Sequence, residues 1–308
     1  MEYLLLLLGF VLLIKGADFF VDGAVSVATR FRIPSVIVGL TIVALGTSLP
    51  EFSVSLSAAL AGSNSLALSN VVGSNIFNTL VVVGCSAAIA PFVISKDVIS
   101  RDLLMNVGVS VLLFIMALSG ELSRLNGTIL LCVLVVYLAG LIIAARRDKV
   151  HEDAAEEEKI LKPWICVLYL ALGFLGIYFG GELVVDNARL IALELGMSET
   201  LVGLTIVSLG TSLPELVTSV VAARKGESGL SLGNAIGSNI MNICFILGFS
   251  SAIHPIAILA ENRTDMLVLI AISLFIWAMA RLKDRLSRWQ GFLMLGVYAV
   301  YLAYIIMR

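Results

Sequence analysis

The chain has 308 residues, of which 59% are hydrophobic and 14% charged, and its mean hydropathy is +1.04. Soluble chains carry about 25% charged residues. Here apolar runs long enough to cross a ~30 Å hydrocarbon core recur along the whole length. The composition excludes a cytosolic enzyme, a nucleic-acid binder and a secreted disulfide scaffold, and it points to an all-α polytopic membrane protein. The net charge of −2 says little, because in a membrane the position of a charge matters more than the sum.

Ten spans are predicted. The first, near 3–28, opens with Glu2 instead of a basic stretch, and its apolar run passes Phe20. It therefore reads as a span and not as a cleaved signal. The second (35–60) contains G-T-S-L-P-E at 46–51. The third (67–93) is long, interrupted by Gly, Ser and Asn, and contains G-S-N-I-F-N at 73–78. The fourth and fifth fall near 103–120 and 126–145. A charged stretch at 146–162 follows, expected to be solvated, His151 and its acidic run included. The remaining spans fall near 164–192, 200–222, 230–258, 266–281 and 289–307. Trp164, Trp277 and Trp289 lie at or near span ends, as interfacial aromatics do. Cys85, Cys132, Cys166 and Cys244 lie inside apolar stretches and read as reduced thiols. His254, beside Pro255, reads as a loop-edge histidine.

The chain is one unit written twice. V-G-L-T-I-V-A-L-G-T-S-L-P-E (38–51) recurs at 202–215 with only Ala44 exchanged, for Ser208, and G-S-N-x-x-N recurs at 237–242. Both recurrences have an offset of 164, and Pro91/Pro255, Asp22/Asp186 and Tyr137/Tyr301 obey it too. The expected organisation is a five-helix repeat over 1–145, a cytoplasmic linker over 146–162 and a second repeat over 163–308. Five is odd, so the second copy starts from the opposite face and the repeats are inverted. With both termini extracytoplasmic, fifteen Lys and Arg fall on the cytoplasmic side and three outside, the bias of an inner-facing loop set in a cell membrane.

Charges at membrane depth cost about 2.5–3.5 kcal/mol and mark function by default. Glu51 and Glu215 are the sharpest candidates, each directly after a proline inside a span. Pro50 and Pro214 have no N–H and displace the carbonyl four residues back, at Gly46 and Gly210. A helix broken there exposes carbonyls beside the hydroxyls of Thr47, Ser48, Thr211 and Ser212. Carbonyl, hydroxyl and carboxylate oxygens suit hard cations, Ca²⁺ above all. Ser74, Asn78, Ser238 and Asn242 add neutral oxygens from the G-S-N-x-x-N segments. Asn75 and Asn239 read equally as packing glue. The i,i+4 pairs Asp18/Asp22 and Glu182/Asp186 read as structural or as an access path, with Lys15 and Arg189 as nearby cations.

The doubled G-T-S-L-P-E and G-S-N-x-x-N resemble the repeats of the calcium/cation antiporter superfamily, specifically its sodium/calcium exchanger branch and the short prokaryotic members. The resemblance covers nearly the whole chain. It implies a non-enzymatic antiporter that exchanges Na⁺ for Ca²⁺ by alternating access, with no cofactor, no nucleic acid and no obligatory protein partner, only the two ions and the bilayer. Carried over, the calcium site comprises Glu51, Glu215 and the carbonyls of Thr47 and Thr211, completed by Asn78 and Asn242. Flanking sodium sites take Thr47, Ser48 and Ser74 on one side and Thr211, Ser212 and Ser238 on the other, with carbonyls from Ala44 and Ser208. The first and sixth spans are implied to slide. Some relatives carry Asp where Asn242 stands, which leads to an expectation of no K⁺ requirement.

Two carboxylates carry −2, which one Ca²⁺ or two Na⁺ neutralise. A third Na⁺ makes the cycle electrogenic, at ~2.3 kcal/mol per charge per 100 mV. The alternatives are a proton- or potassium-coupled exchanger, a cation channel with Glu51 and Glu215 in its filter, and an intramembrane hydrolase using Ser48 or Ser212. The last lacks a histidine placed as base.

Overall fold

The structure is a computed structural model and describes residues 1–60, 64–147, 161–197 and 208–307. The first apolar run forms one 30-residue helix, α1 (Glu2–Phe31). At 1.5 Å per residue it is longer than a hydrocarbon core is thick. It stops where Arg32 turns left-handed (φ 53°) and Pro34 forbids continuation. The next span is bent by 49° between α2 (Ser35–Thr47) and α3 (Leu49–Leu60). Then follow α4 (Leu66–Ile89), α5 (Val98–Ala117), α6 (Arg124–Arg146) and α7 (Pro163–Glu194). A helical turn at Ser208–Gly210 leads into α8 (Leu213–Arg224). The chain closes with α9 (Ser228–Ile253), α10 (Asn262–Lys283) and α11 (Arg288–Met307).

Among the described residues, eight helices are long and apolar enough to cross a membrane, and the α2–α3 pair makes a ninth span. The expected span at 200–222 lies partly outside the described residues, as does most of the 146–162 stretch. The third and eighth spans end at Ile89 and Ile253, four to five residues earlier than the sequence suggested. The reason is Pro91 and Pro255: the residue before a proline avoids the helical region, and Ala90 and His254 are extended (φ −132° and −135°). The chain after each proline forms a two-residue strand, β1 (Phe92–Val93) and β3 (Ile256–Ala257). The fourth and ninth spans compensate by starting earlier, at Val98 and Asn262, than the 103 and 266 expected.

Two more short strands, β2 (Glu121–Leu122) and β4 (Arg285–Leu286), complete the caps. β1 pairs antiparallel with β4 (Phe92 opposite Leu286), and β2 with β3 (Leu122 opposite Ile256). Each strand thus pairs with the other half of the chain, third-span loop against last-span loop. The main core also draws on both halves, from Leu40, Val72 and Leu80 to Ile236, Ile243 and Leu247. In α4 and α9, 72% and 78% of the spanning window is buried, against 17% in α11. The helices bearing G-S-N-x-x-N are therefore central. Val135, Val136 and Val300 on the outer helices are exposed, as lipid-facing residues are.

α1 and α7 meet backbone to backbone along a glycine seam. A Cβ on Gly16 would lie 2.6 Å from the amide nitrogen of Ile177, and one on Gly180 2.5 Å from that of Leu13. Only small residues permit such approach between membrane helices. The four cysteines are free thiols, and His254 is exposed at its loop edge.

Candidate cation site

The two G-T-S-L-P-E motifs meet at the centre. The bend between α2 and α3 falls at Ser48 (φ −84°, ψ 5°), one residue before the Leu49–Pro50 step that opens α3. The equivalent Ser212 (φ −93°, ψ 4°) caps α8. Both glutamates then stand in the first turn of a helix and are fully buried. Each is held by the serine of the opposite motif. Ser48 Oγ donates to Glu215 Oε1 at 3.1 Å, and Ser212 Oγ donates to Glu51 Oε1 at 3.0 Å. The second oxygen of each, Glu51 Oε2 and Glu215 Oε2, is buried without a hydrogen-bond partner among the described residues.

Two buried carboxylates with half of their oxygens unsatisfied are costly unless a cation or a proton compensates them. Among the described residues no group of three or more His, Cys, Asp or Glu is placed to hold a metal ion; this centre offers two carboxylates. Its remaining donors are neutral oxygens, the set that hard cations prefer.

The surrounding hydroxyls are unequal. The single proton of Thr47 Oγ1 has two acceptors in reach, the carbonyl of Val43 at 3.2 Å and Asn234 Oδ1 at 3.1 Å, and Thr47 Oγ1 lies 3.4 Å from Ser238 Oγ, which in turn reaches Glu215 Oε1 at 3.4 Å. Thr47 thus lies within hydrogen-bond reach of Ser238 of the other half, whereas the flanking sets implied by the resemblance list it with Ser48 and Ser74. The cause is packing: α2 lies against α9, with Gly237 so close that a Cβ there would be 2.7 Å from Leu40 Cα. The equivalents on the other flank, Thr211 Oγ1 and Ser74 Oγ, are buried without partners among the described residues, as are both amide atoms of Asn78 and Asn242 Oδ1. The carbonyl of Ala44 already accepts from Ser48 N at 3.1 Å. Ser208 opens its helical turn; its side chain lies outside the described residues. Asn78 and Asn242 each begin a π-helical segment, Asn78–Val82 and Asn242–Leu247, a local widening common at functional positions.

A cavity of about 180 Å³ opens beside the unpartnered flank, lined by Pro50, Gly210, Thr211, Pro214, Glu182 and Asp186 among others. At the equivalent place in the other half there is an ion-pair cluster. Lys225 at the end of α8 reaches Asp22 Oδ1 at 2.7 Å and Asp18 Oδ1 at 3.5 Å, while Lys15 is only 3.9 Å from Asp18. The partner that matters to the Asp18/Asp22 pair is Lys225, which is remote in sequence.

Three polar groupings escaped the reading of the sequence. Asn70 donates to Ser55 Oγ and Asn234 to Ser219 Oγ, both at 2.9 Å, tying each G-S-N helix to the helix that carries its glutamate. Their common offset of 164 was the available signal. Asp102 is fully buried, held by Arg101 and by the hydroxyl of Tyr137 at 2.9 Å. It was overlooked because the fourth span starts five residues before the position expected.

The protein-family comparison matches residues 1–143 and 165–307 to the family described as sodium/calcium exchanger protein. The chain is 36% identical over 309 residues to the inner membrane protein YrbG of Escherichia coli K12, covering 97% of this chain and 95% of that one. It is 31% identical to the sodium/calcium exchanger MaX1 of Methanosarcina acetivorans, covering 98% and 97%. Its fold matches a solved structure of the sodium-calcium exchanger NCX_Mj, soaked with Na⁺ and Ca²⁺, with TM-score 0.84, 33% identity and coverage of 98% and 97%. With likeness running through both halves and a paired buried carboxylate at their meeting point, the chain belongs to the sodium/calcium exchanger family.

Proposed function

We propose that this protein exchanges Na⁺ for Ca²⁺ across the cell membrane by alternating access, with Glu51 and Glu215 as the shared cation site. The observation that carries the reading is the reciprocal pair of bonds, Ser48 to Glu215 and Ser212 to Glu51, which leaves one oxygen of each buried carboxylate unpartnered and central. Thr47, Thr211, Ser74, Ser238, Asn78 and Asn242 supply neutral oxygens around it, with carbonyls from Ala44 and Ser208. One Ca²⁺ or two Na⁺ balance the two charges, so the ions compete. A third Na⁺ makes the cycle electrogenic. Asn242 adds no charge, which favours independence from K⁺.

Ten spans in two inverted repeats, 1–145 and 163–308 around a cytoplasmic linker, accord with the crossed strand pairs, since β1 and β4 cap one face and β2 and β3 the other. The Lys and Arg bias supports termini outside. In that orientation the cavity at Glu182 and Asp186 opens outward and the Lys225 cluster closes the cytoplasmic side.

The test is radiolabelled Ca²⁺ uptake into Na⁺-loaded proteoliposomes diluted into Na⁺-free buffer, with and without K⁺. Uptake is expected to need the Na⁺ gradient, to persist without K⁺ and to vanish in Glu51→Gln and Glu215→Gln. Uptake indifferent to Na⁺, or normal in either variant, overturns the proposal.

A further inference from the structure

Asn75 and Asn239 occupy equivalent places in the two halves, as do Asn78 and Asn242, yet their bonds are not equivalent. Asn242 Nδ2 donates to Asn75 Oδ1 at 3.0 Å, and Asn75 Nδ2 donates to the backbone carbonyl of Asn239 at 3.1 Å. The mirrored contact, Asn78 to Asn239, is absent: Asn239 Nδ2 turns to Thr79 Oγ1 at 2.7 Å, and Asn239 Oδ1 and both Asn78 amide atoms have no partner among the described residues. All four asparagines are fully buried. The carbonyl that Asn75 caps lies one turn before the π-helical segment opening at Asn242, where the regular i to i+4 ladder is interrupted.

A carboxamide has an acceptor end and a donor end, and its terminal torsion is broad and roughly two-fold. At a cation site the two orientations have opposite consequences, because oxygen attracts the ion and NH₂ repels it. The Asn239 carbonyl fixes the Asn75 carboxamide by its nitrogen end, so the end that Asn75 turns to Asn242 is its oxygen, which can only accept. The amide nitrogen of Asn242 is thereby drawn towards Asn75 and its oxygen left unpartnered.

We propose that Asn75 is a positioning residue of the cation site, which fixes the Asn242 carboxamide with its oxygen directed to the ion. The proposal rests on the Glu51–Glu215 site being the cation site. Asn75 acts through Asn242 and touches no ion itself. The second asparagine of the N-terminal G-S-N-x-x-N motif, Asn78, has no such anchor among the described residues, so the two closing amides are held differently although their motifs match.

The test is a double-mutant cycle in proteoliposomes with Asn75→Leu, Asn242→Ala and the double variant, reading KM and kcat for Na⁺-driven Ca²⁺ uptake. Asn75→Leu leaves the Asn242 nitrogen buried and unbonded, which is expected to raise KM for Ca²⁺ about tenfold with kcat within about twofold. In the Asn242→Ala background the same substitution is expected to change KM by less than about twofold, because nothing remains to orient. An equal KM rise in both backgrounds, or no KM change in Asn75→Leu alone, overturns the proposal. Where Asn242→Ala transports too little to measure, the ratio of Sr²⁺ to Ca²⁺ KM in Asn75→Leu decides. It shifts when a ligand oxygen moves and stays constant when only the amount of folded protein falls. Asn75→Ser serves in the same cycle should the leucine variant fail to fold. Glu51→Gln in parallel vesicles separates the two readings: full exchange there refutes the cation site itself, whereas its loss beside an additive cycle refutes only the role of Asn75.

Discussion

The glycine seam between α1 and α7 gives a sharp mechanical prediction. In Gly180→Ala the new Cβ sits 2.5 Å from Leu13 N and 2.9 Å from both Leu13 Cα and Gly9 O. All three are backbone or bound to it, so no rotamer change relieves the clash. Ordinary contact begins near 3.4 Å, and the helices must part locally by roughly 0.9 Å. Overpacking of this kind costs about 1–3 kcal/mol. At about 2–4 °C per kcal/mol for a chain of a few hundred residues, the melting midpoint falls by several degrees. Gly140→Ala is the matched control, because nothing lies within 4 Å of that added Cβ. There the better helix propensity of alanine leaves the midpoint unchanged or slightly raised. Thermal scans of detergent-purified protein at one fixed rate make the comparison, since irreversible unfolding makes the midpoint depend on rate. A Gly180→Ala midpoint equal to that of Gly140→Ala would refute the reasoning. Ca²⁺ uptake in the same variants is expected to fall only for Gly180→Ala, because α7 also carries the Glu182 and Asp186 wall of the cavity.

Lys225→Met removes the cation shared by Asp18 and Asp22; the sequence offset of 164 aligns Lys225 with the uncharged Ala61. Partly exposed ion pairs are weak, and the expected result is a shift of no more than about fivefold: apparent KM for Ca²⁺ falls on the face where Lys225 lies and rises on the other. Equal KM values on both faces before and after substitution would argue against a gating role. Tyr137→Phe withdraws the hydroxyl that donates to buried Asp102 and leaves the Arg101 pair in place. It should destabilise the protein by about 1–3 kcal/mol without altering KM for Ca²⁺, and a changed KM with an unchanged melting midpoint would contradict a purely structural role.

Much of this molecule is legible in one dimension, because membrane insertion and duplication both act on the sequence directly. The spans are visible since a helix that crosses lipid must be long and apolar. The glutamates stand out since an isolated carboxylate in such a run has no structural use. The 164-residue offset exposes the repeat without any structure. Helix ends were less legible, although Pro91 and Pro255 were in plain view: whether a residue before proline ends a span or kinks it depends on what the next residues meet. Here they meet β4 and β2.

Tertiary structure alone decided which oxygens lie side by side. No spacing within either motif tells that Thr47 lies beside Ser238, that Ser48 holds the glutamate of the other half, or that Lys225 reaches back 203 positions to Asp22. Nor does a repeat of matching motifs reveal that Asn242 is anchored and Asn78 is not. Sequence determined the inventory of donors, because chemistry is a property of residue type. Packing of one repeat against the other determined their partners, because hydrogen bonds across helices are set by crossing geometry and close glycine contacts. Although the two halves carry matching motifs, that packing also made the two flanks of the glutamate pair unequal.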